Sequence, residues 1–199
     1  KNVELAILNS SNLVVTGTSL IDEHSRKQVL KMMSHATKND CKVWLDLDYR
    51  HWNWPDEGAT RSAYQKAEKL SGVIVGNEEE FKILNDDLNI QVKECISKNK
   101  IMILKKGENG CTLFSGNCTL KTGIYKSKIM KPYGSGDAFL GNLIMNYMAF
   151  GDWKKAAEAG SAAAAIVVSK KGCASAMPSN KEIKSLQDST SIQPNTEWS

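Results

Sequence analysis

The stretch from Lys131 to Asn142 combines residue types that could carry out chemistry. It reads Lys-Pro-Tyr-Gly-Ser-Gly-Asp-Ala-Phe-Leu-Gly-Asn, with Gly134, Gly136 and Asp137 at its centre. The apolar run that follows, 138–150, predicts a loop that turns into a buried helix with Asp137 in its first turn. A helix start exposes backbone N–H groups and the positive end of the helix dipole, and glycines let a large anion approach that backbone. Because a carboxylate in the same turn could accept the proton of an attacking hydroxyl, the pattern indicates phosphoryl transfer.

A simpler interpretation is that Asp137 only caps the helix. Acidic residues are common in the first turn of helices, and a single Gly-x-Gly-Asp is a weak motif. The sequence contains no Gly-Lys-Ser or Gly-Lys-Thr, so it has no Walker phosphate loop. On these residues alone, capping is the better interpretation.

The order of apolar segments predicts an α/β protein. Short apolar runs alternate with helical stretches, which is the pattern of βαβ units around a buried parallel sheet. The predicted strands are 13–15, 42–47, 73–75 and 101–104, and the predicted helices are 25–37, 60–70, 78–84, 92–98, 136–150 and 153–168. Between residues 111 and 128, short segments with glycine turns predict an antiparallel hairpin at the edge of the sheet. The tail beyond Pro178 has one weak helix, and we expect 187–199 to be frayed.

Composition limits the class of protein further. The 199 residues are 41% apolar and 24% charged, enough for one globular domain, which we place at 1–199. No apolar run approaches the ~20 residues of a membrane span, and the N-terminus has no signal-peptide pattern. The five cysteines are scattered and form no metal-binding pattern with the three histidines, which favours reduced thiols in the cytoplasm. A net charge of +4 spread along the chain does not indicate nucleic-acid binding.

Polar residues follow three of the predicted strands, and the ligands of parallel sheets bind at the carboxyl ends of strands. Asn77 and Glu80 follow one strand, although Asn77 could equally cap the next helix. Lys105–Gly110 follows another strand with closely spaced glycines, and could equally be an ordinary turn. Asp46–Arg50 ends a third strand with two acids and a guanidinium. Three such groups in one α/β chain favour a ligand site over coincidence.

Taken together, these motifs resemble the ribokinase-like (PfkB) sugar kinases. The resemblance is carried by Asn77-x-x-Glu80, Lys106-Gly-x-x-Gly110 and Gly134-Ser-Gly-Asp137, which occur in that order. It continues through 162–178 and covers the chain from about Leu13 to Ile183. It implies a three-layer α/β/α domain with a mostly parallel central sheet, together with a small β lid over the sugar.

The resemblance also implies roles for individual residues. Asp137 corresponds to the family's catalytic base, and Gly134, Ser135 and Gly136 correspond to the loop that binds the transferred phosphoryl group. The remaining implied contacts concern ATP and Mg²⁺. They are made by Asn77 and Glu80, with Glu80 acting on magnesium through water, by Lys105, Gly107 and Gly110 beside the nucleotide phosphates, and by Ser161 near the adenine.

Two further residues, Arg50 and Lys131, are expected to bind the substrate and to replace a bound cation, respectively. Asp46-Leu-Asp-Tyr-Arg50 with Trp54 resembles family members that act on sugar acids. We therefore expect Arg50 to bind the substrate's carboxylate, with a salt bridge to Asp46 or Asp48 as the alternative. Many family members have an Asp at the head of the anion loop that helps to bind a monovalent cation, whereas this chain has Lys131 there. We expect the Lys131 ammonium to replace that cation, with a side chain in solvent as the alternative.

Family members normally begin with a further section that supplies the first strands, the lid and much of the sugar site. Nothing in this sequence corresponds to it, so we expect the chain to be the C-terminal portion of a longer protein and to be inactive by itself. For the whole protein we expect phosphorylation of a sugar-acid hydroxyl with ATP and Mg²⁺, and neither a nucleic-acid nor a membrane partner. A homo-oligomer is compatible with the sequence. The alternatives are a family kinase for another sugar, or a nucleotide-binding module without catalysis.

Overall fold

The structure, a computed structural model, describes residues 2–131 and 133–199. This part of the chain falls into two compact units. The first unit contains the residues up to Lys105 together with Leu113–Asn117, and the second contains Lys106–Thr112 together with Cys118–Ser199. Each unit has its own cluster of buried apolar side chains.

Four parallel strands form the centre of the first unit: β1 (Asn12–Thr16), β2 (Lys42–Asp46), β3 (Val73–Asn77) and β4 (Ile101–Lys105). They lie side by side in chain order, with Asp46 of β2 opposite Val75 of β3 and Gly76 of β3 opposite Leu104 of β4. The residues of β2 and β3 are almost all buried. Burial on both faces is typical of parallel strands covered by helices on each side. Because the strands are parallel, their carboxyl ends meet at one edge.

Five helices accompany these strands: α1 (Asn2–Leu8), α2 (Glu23–Lys38), α3 (Glu57–Lys69), α4 (Glu78–Leu84) and α5 (Leu88–Ser97). Each of the last four follows a residue whose side chain accepts a backbone N–H of the first turn. These residues are Asp22, Asp56, Asn77 and Asp87. A cap of this kind stabilises a helix by about 1 kcal/mol.

The caps explain where the predicted helix starts differ from the structure. Hydrophobic spacing predicts helices from residues 60 and 92, but α3 begins at Glu57 and α5 at Leu88, each directly after its capping aspartate. The first turn of a helix is often polar, so the spacing of apolar residues misses it. Helix α1 has no counterpart among the predicted elements, and it buries Ile7.

The second unit follows through β5 (Cys111–Ser115), whose first two residues belong to it and whose last three belong to the first unit. Its other elements are β6 (Cys118–Thr122), α6 (Ser135–Phe150), α7 (Trp153–Val168), α8 (Asn180–Ser189) and β7 (Glu197–Trp198). Helices α6 and α7 approach closely, since a Cβ at Gly160 would lie 2.8 Å from the carbonyl oxygen of Phe139. The alanines of α7 are mostly buried, which is consistent with close packing of this helix. None of the helices that the structure describes has the length and apolar character that crossing a bilayer requires.

The end of the chain pairs with β6, so the prediction that 187–199 frays is wrong. In the antiparallel pair of β6 and β7, Leu120 lies opposite Trp198. Closer to α8, Ile124 and Gln193 exchange two backbone N–H···O bonds of 2.9 Å each. Ile192 is only 7% exposed. The polar composition of the tail suggests that it is exposed to solvent, but its backbone groups form hydrogen bonds within the second unit.

Replacing Ile192 by alanine should lower the free energy of unfolding by about 2–5 kcal/mol, because a buried side chain is removed and a cavity remains. Ile129→Ala is the matched control, since Ile129 is 68% exposed. The control should change stability by less than about 0.5 kcal/mol. Urea unfolding of the full-length protein, followed by circular dichroism, measures both. Equal effects of the two substitutions would contradict burial of the tail.

Candidate active site

The carboxyl ends of β2 and β4 carry a buried ion pair. Lys105 Nζ donates to Asp46 Oδ1 at 3.0 Å and lies 3.8 Å from Glu80 Oε2. The Asp46 and Glu80 side chains are 5% and 7% exposed, and that of Lys105 is 20% exposed. Burial raises the pKa of the Asp46 carboxyl, and the Lys105 charge counteracts that rise. Burial also lowers the pKa of Lys105, but the nearby carboxylates outweigh it and the net pKa is raised, so Lys105 is an ammonium ion.

Asn77 and Glu80 form a capping box at the start of α4. Asn77 Oδ1 accepts the N–H of Glu80 at 2.9 Å, and Glu80 Oε2 accepts the N–H of Asn77 at 2.7 Å. The second carboxylate oxygen, Oε1, accepts the N–H of Tyr49 at 3.2 Å. The capping interpretation of Asn77 is therefore confirmed. Glu80 has a further role, because it joins the loop after β2 to α4.

The loop after β2 is fixed by aromatic residues and presents Arg50 to solvent. The Tyr64 hydroxyl donates to the carbonyl of Leu47, and the buried Trp54 ring packs edge-on against Tyr64 with the centroids 5.6 Å apart. Arg50 forms a salt bridge with Asp48 at 2.8 Å, which is the alternative that the sequence leaves open. The Arg50 side chain is still 50% exposed. Its contact with a substrate carboxylate stays a prediction.

The glycine turn that follows β4 belongs to the second unit. Lys106 N–H donates to the carbonyl of Gly110 at 2.8 Å, and Gly110 N–H donates to the carbonyl of Gly107 at 3.1 Å. Gly110 has φ +75°, and a Cβ there would lie 1.9 Å from the Thr122 carbonyl oxygen, so the turn requires glycine at 110 for its own folding. Lys105, the residue just before this turn, directs its ammonium to the acids described above, and its place beside the nucleotide phosphates stays a prediction. The position of Gly107 and Gly110 beside nucleotide phosphates stays a prediction.

The predicted anion loop begins α6. Gly134 is the residue before the helix, with φ +84°, Ser135 is the first helical residue, and Asp137 is exposed in the first turn. The N–H of Ala138 closes this turn by donating to the carbonyl of Gly134 at 3.0 Å. As in any first turn, the N–H groups of Gly136 and Asp137 have no acceptor within the helix. Asp137 does not hold the capping position, and its carboxylate lies beside a helix start that can bind an anion.

Cys173 is a neighbour of this loop that sequence reasoning missed. A Cβ at Gly134 would lie 2.6 Å from Cys173 Sγ. Cys173 is exposed and precedes the short 3₁₀ turn Ala174–Ala176. No spacing pattern relates two residues so distant along the chain, so the contact emerges only from the fold.

Lys131 folds back at the head of the same loop. Its Nζ donates to the carbonyl of Tyr133 at 2.9 Å. The backbone here is tied to the end of α7, because the N–H groups of Met130 and Lys131 donate to the Val168 carbonyl at 2.7 and 3.2 Å. Pro132, the second residue of the motif, lies outside the described residues. The ammonium is thus directed toward the loop, and its role in place of a cation stays a prediction.

Ser161 lies inside the second unit. It is 6% exposed, and its hydroxyl donates to the carbonyl of Gly123 at 3.0 Å. A direct bond between this hydroxyl and an adenine would have to replace that one. Its role near the adenine stays a prediction.

The acids beside Lys105 are suited to binding a magnesium ion through its water ligands. Among the described residues, no three His, Cys, Asp or Glu side chains are grouped to hold a metal ion. Glu80 uses both oxygens as acceptors of backbone N–H groups. Each carboxylate oxygen has capacity for about two acceptor contacts, so each retains one for a metal-bound water. Because Mg²⁺ keeps several of its waters, Glu80 fits the predicted water-mediated role.

The chain therefore contains, in its second unit, a helix start that can bind an anion beside a carboxylate and, in its first unit, an acidic strand edge that can order a hydrated ion. Its fold is that of the ribokinase-like α/β class. The chain belongs to the pfkB family of carbohydrate kinases, whose family model matches residues 1–180. The strand-end acids and the anion loop both lie within the matched segment.

Individual relatives agree with this family. The 5-dehydro-2-deoxygluconokinase of Photobacterium profundum is 35% identical over 184 residues, which are 88% of this chain and 56% of that protein. The chain thus spans a little over half the length of that relative. A fructokinase from Xylella fastidiosa with bound ATP has a TM-score of 0.86 at 17% identity, covering 94% of this chain and 64% of that one. A fructokinase from Vibrio cholerae O395, bound to fructose, ADP and calcium ion, has a TM-score of 0.81 at 19% identity, covering 89% and 60%. At these identities the two solved structures establish the fold alone.

Gly134→Ala should lower the free energy of unfolding by about 1–3 kcal/mol, because an alanine is strained at this φ and its Cβ meets the Cys173 sulfur. Gly141→Ala in the same helix is the control, since no atom lies within 4 Å of a Cβ placed there. The control should gain up to about 1 kcal/mol from better helix propensity. Adding Cys173→Ala to Gly134→Ala should recover the part of the loss that comes from the clash. Urea unfolding measures all three, and a Gly134→Ala protein as stable as Gly141→Ala would contradict the geometry.

Proposed function

We propose that the whole protein transfers the terminal phosphoryl group of ATP to a hydroxyl of a sugar acid. In its most specific form, the substrate is 5-dehydro-2-deoxy-D-gluconate, which becomes its 6-phosphate in myo-inositol catabolism. The observation that carries the proposal is the exposed Asp137 in the first turn of a glycine-started helix, in a chain of the pfkB family. The Photobacterium profundum relative, 35% identical, is named for that kinase activity.

Asp137 acts as the general base. The substrate hydroxyl binds beside its carboxylate, which takes the proton as the oxygen attacks the terminal phosphorus of ATP; the bond from that phosphorus to the bridging oxygen breaks and ADP leaves. The backbone of Gly134, Ser135 and Gly136 binds the oxygens of that group, and the positive end of the α6 dipole stabilises the charge that develops there. Proton acceptor and anion site thus come from one helix turn.

ATP and Mg²⁺ are the proposed co-substrate and ion. The Xylella fastidiosa fructokinase binds ATP, and the Vibrio cholerae fructokinase binds ADP with a calcium ion, which supports a nucleotide together with a divalent ion. When bound, Mg²⁺ would neutralise charge on the phosphates. In this proposal the residues around the nucleotide are Asn77 and Glu80 at the phosphates and hydrated ion, Lys105, Gly107 and Gly110 near the phosphates, and Ser161 near the adenine.

Arg50 supplies recognition of the sugar acid. A planar guanidinium can bind a carboxylate through two parallel N–H bonds, and half of the Arg50 side chain is accessible beside its salt bridge to Asp48. Lys131 supplies a fixed positive charge at the head of the anion loop, where its ammonium already binds the carbonyl of Tyr133.

We place the protein in the cytoplasm, since its five cysteines are free thiols.

Two other functions compete with this one. The first is phosphorylation of another sugar, as by a 2-keto-3-deoxygluconate kinase or a fructokinase, and the second is nucleotide binding without catalysis. Phosphorylation assays of the full-length protein across candidate sugar acids and neutral sugars distinguish them. Turnover with a neutral sugar alone would favour the first alternative, and ATP binding without turnover would favour the second.

Asp137→Asn should lower kcat by ~100-fold or more, the usual scale of acid–base help, while ATP affinity and the fold are retained. Asp152→Asn is the control, because Asp152 caps α7 through the N–H groups of Lys154 and Lys155 and asparagine caps equally well. The control should keep its turnover. Near-normal turnover of Asp137→Asn in a steady-state assay would contradict the assignment of Asp137 as the general base.

Arg50→Lys should lower kcat/KM for sugar acids by roughly tenfold or more and leave neutral sugars unaffected, because lysine cannot form the paired N–H bonds. Arg61→Lys is the control, since that guanidinium binds Glu57 and Asp86. Competition assays with both substrate classes measure the effect. If Arg50→Lys weakened both classes equally, Arg50 would have no part in recognising the carboxylate.

Lys131→Met should abolish most activity, and added potassium should not restore it, because the fixed charge beside the loop is gone. Lys128→Met removes the same charge from an exposed position nearby and should leave activity unchanged. The wild-type protein should be largely indifferent to potassium. Strong activation of the wild type by potassium, relative to a larger inert cation at equal ionic strength, would overturn this role.

A further inference from the structure

Lys105 occupies the place that a cation shared by Asp46 and Glu80 would take. Its ammonium lies 3.0 Å from Asp46 Oδ1 and 3.8 Å from Glu80 Oε2, so one nitrogen faces oxygens of both acids. These acids come from the end of β2 and the first turn of α4, and the lysine comes from the end of β4. We propose that Lys105 is a built-in counter-cation that prevents divalent metal ions from binding directly to Asp46 and Glu80.

Each oxygen that faces Lys105 already accepts a hydrogen bond. Asp46 Oδ1 accepts the ammonium itself, and Glu80 Oε2 accepts the N–H of Asn77 at 2.7 Å. The other Glu80 oxygen accepts the N–H of Tyr49 at 3.2 Å. A directly bound Mg²⁺ requires oxygens at about 2.0–2.1 Å in octahedral order. Such an ion could approach this pair only if the ammonium left, so an ion at this edge remains behind its waters.

The charges around the pair explain why the lysine is needed. Asp46 and Glu80 are almost fully buried, and two carboxylates that face one another without a cation are strongly unfavourable in such a place. The neighbouring Asp48 is matched by Arg50 at 2.8 Å, so Arg50 does not serve the buried pair. Lys105 is therefore the cation that balances this edge among the residues described here. Without it, a divalent ion would be the natural replacement.

This inference gives Lys105 a positioning role, since it acts through the two acids. This role of Lys105 does not depend on the identity of the sugar substrate, so a different substrate would leave it unchanged. Conversely, if Lys105 did not exclude metal ions, the roles proposed for Asp137 and the anion loop would be unaffected.

Titration with Mn²⁺ alone, followed by the electron paramagnetic resonance signal of free Mn²⁺, tests the proposal in the full-length protein. Lys105→Met should bind one Mn²⁺ at least tenfold more tightly than the wild type, because it uncovers two facing carboxylates. Adding Asp46→Asn to Lys105→Met should abolish that gain. Lys100→Met is the matched control, since Lys100 is also a mostly buried lysine but its ammonium donates to the carbonyl of Glu68. The control should bind Mn²⁺ as the wild type does.

A folded Lys105→Met protein with unchanged Mn²⁺ affinity would overturn the proposal. Loss of ATP affinity together with unchanged Mn²⁺ affinity would mean that Lys105 serves the nucleotide phosphates alone and has no part in excluding metal ions. Asp46→Asn in the otherwise wild-type protein gives a second test that keeps the lysine in place. It should leave Mn²⁺ affinity unchanged, and a tenfold loss would mean that Asp46 is a direct metal ligand.

Discussion

The carboxylate of Glu80 is the acceptor that joins the separate segments at the strand edge of the first unit. It accepts the N–H of Asn77 from the start of α4 and the N–H of Tyr49 from the loop after β2, and it faces the ammonium of Lys105 from β4. A buried charge is stable only when its oxygens have partners of this kind. Losing the acid would leave two N–H groups unsatisfied, at about 1–3 kcal/mol each. One side chain thus sets the relative position of three segments.

The second unit positions its candidate residues by packing instead. The start of α6 is defined by the left-handed Gly134 and by its contact with Cys173, and the body of the helix is fixed by the approach of Gly160 to Phe139. Here contacts between small residues leave little freedom for the helix to shift. Asp137 is therefore exposed and ready to meet a ligand while the helix that carries it is firmly packed.

Much of this arrangement could be predicted from the sequence, because its causes are local. The α4 start follows from Asn77 and Glu80 at capping spacing, and α6 follows from a long apolar run in which Gly141 is the single helix breaker. The partners of Lys105 could not be predicted, since Asp46 is 59 residues away and no local pattern connects them. The prediction that residues 187–199 fray was wrong for a different reason. The polar side chains of this tail suggest solvent, whereas backbone pairing with β6, which is independent of side-chain type, decides its structure.

The contact between Gly134 and Cys173 also constrains how this sequence can evolve. Since a Cβ at 134 would lie 2.6 Å from the sulfur, the two positions share one small volume. An alanine at 134 would be tolerated sterically only alongside a smaller neighbour at 173. Substitutions at positions 134 and 173 are therefore expected to be coupled. Because glycine is already the smallest residue, only position 173 can become smaller, so a smaller residue there has to precede an alanine at 134 and the order of the substitutions matters as much as their identity.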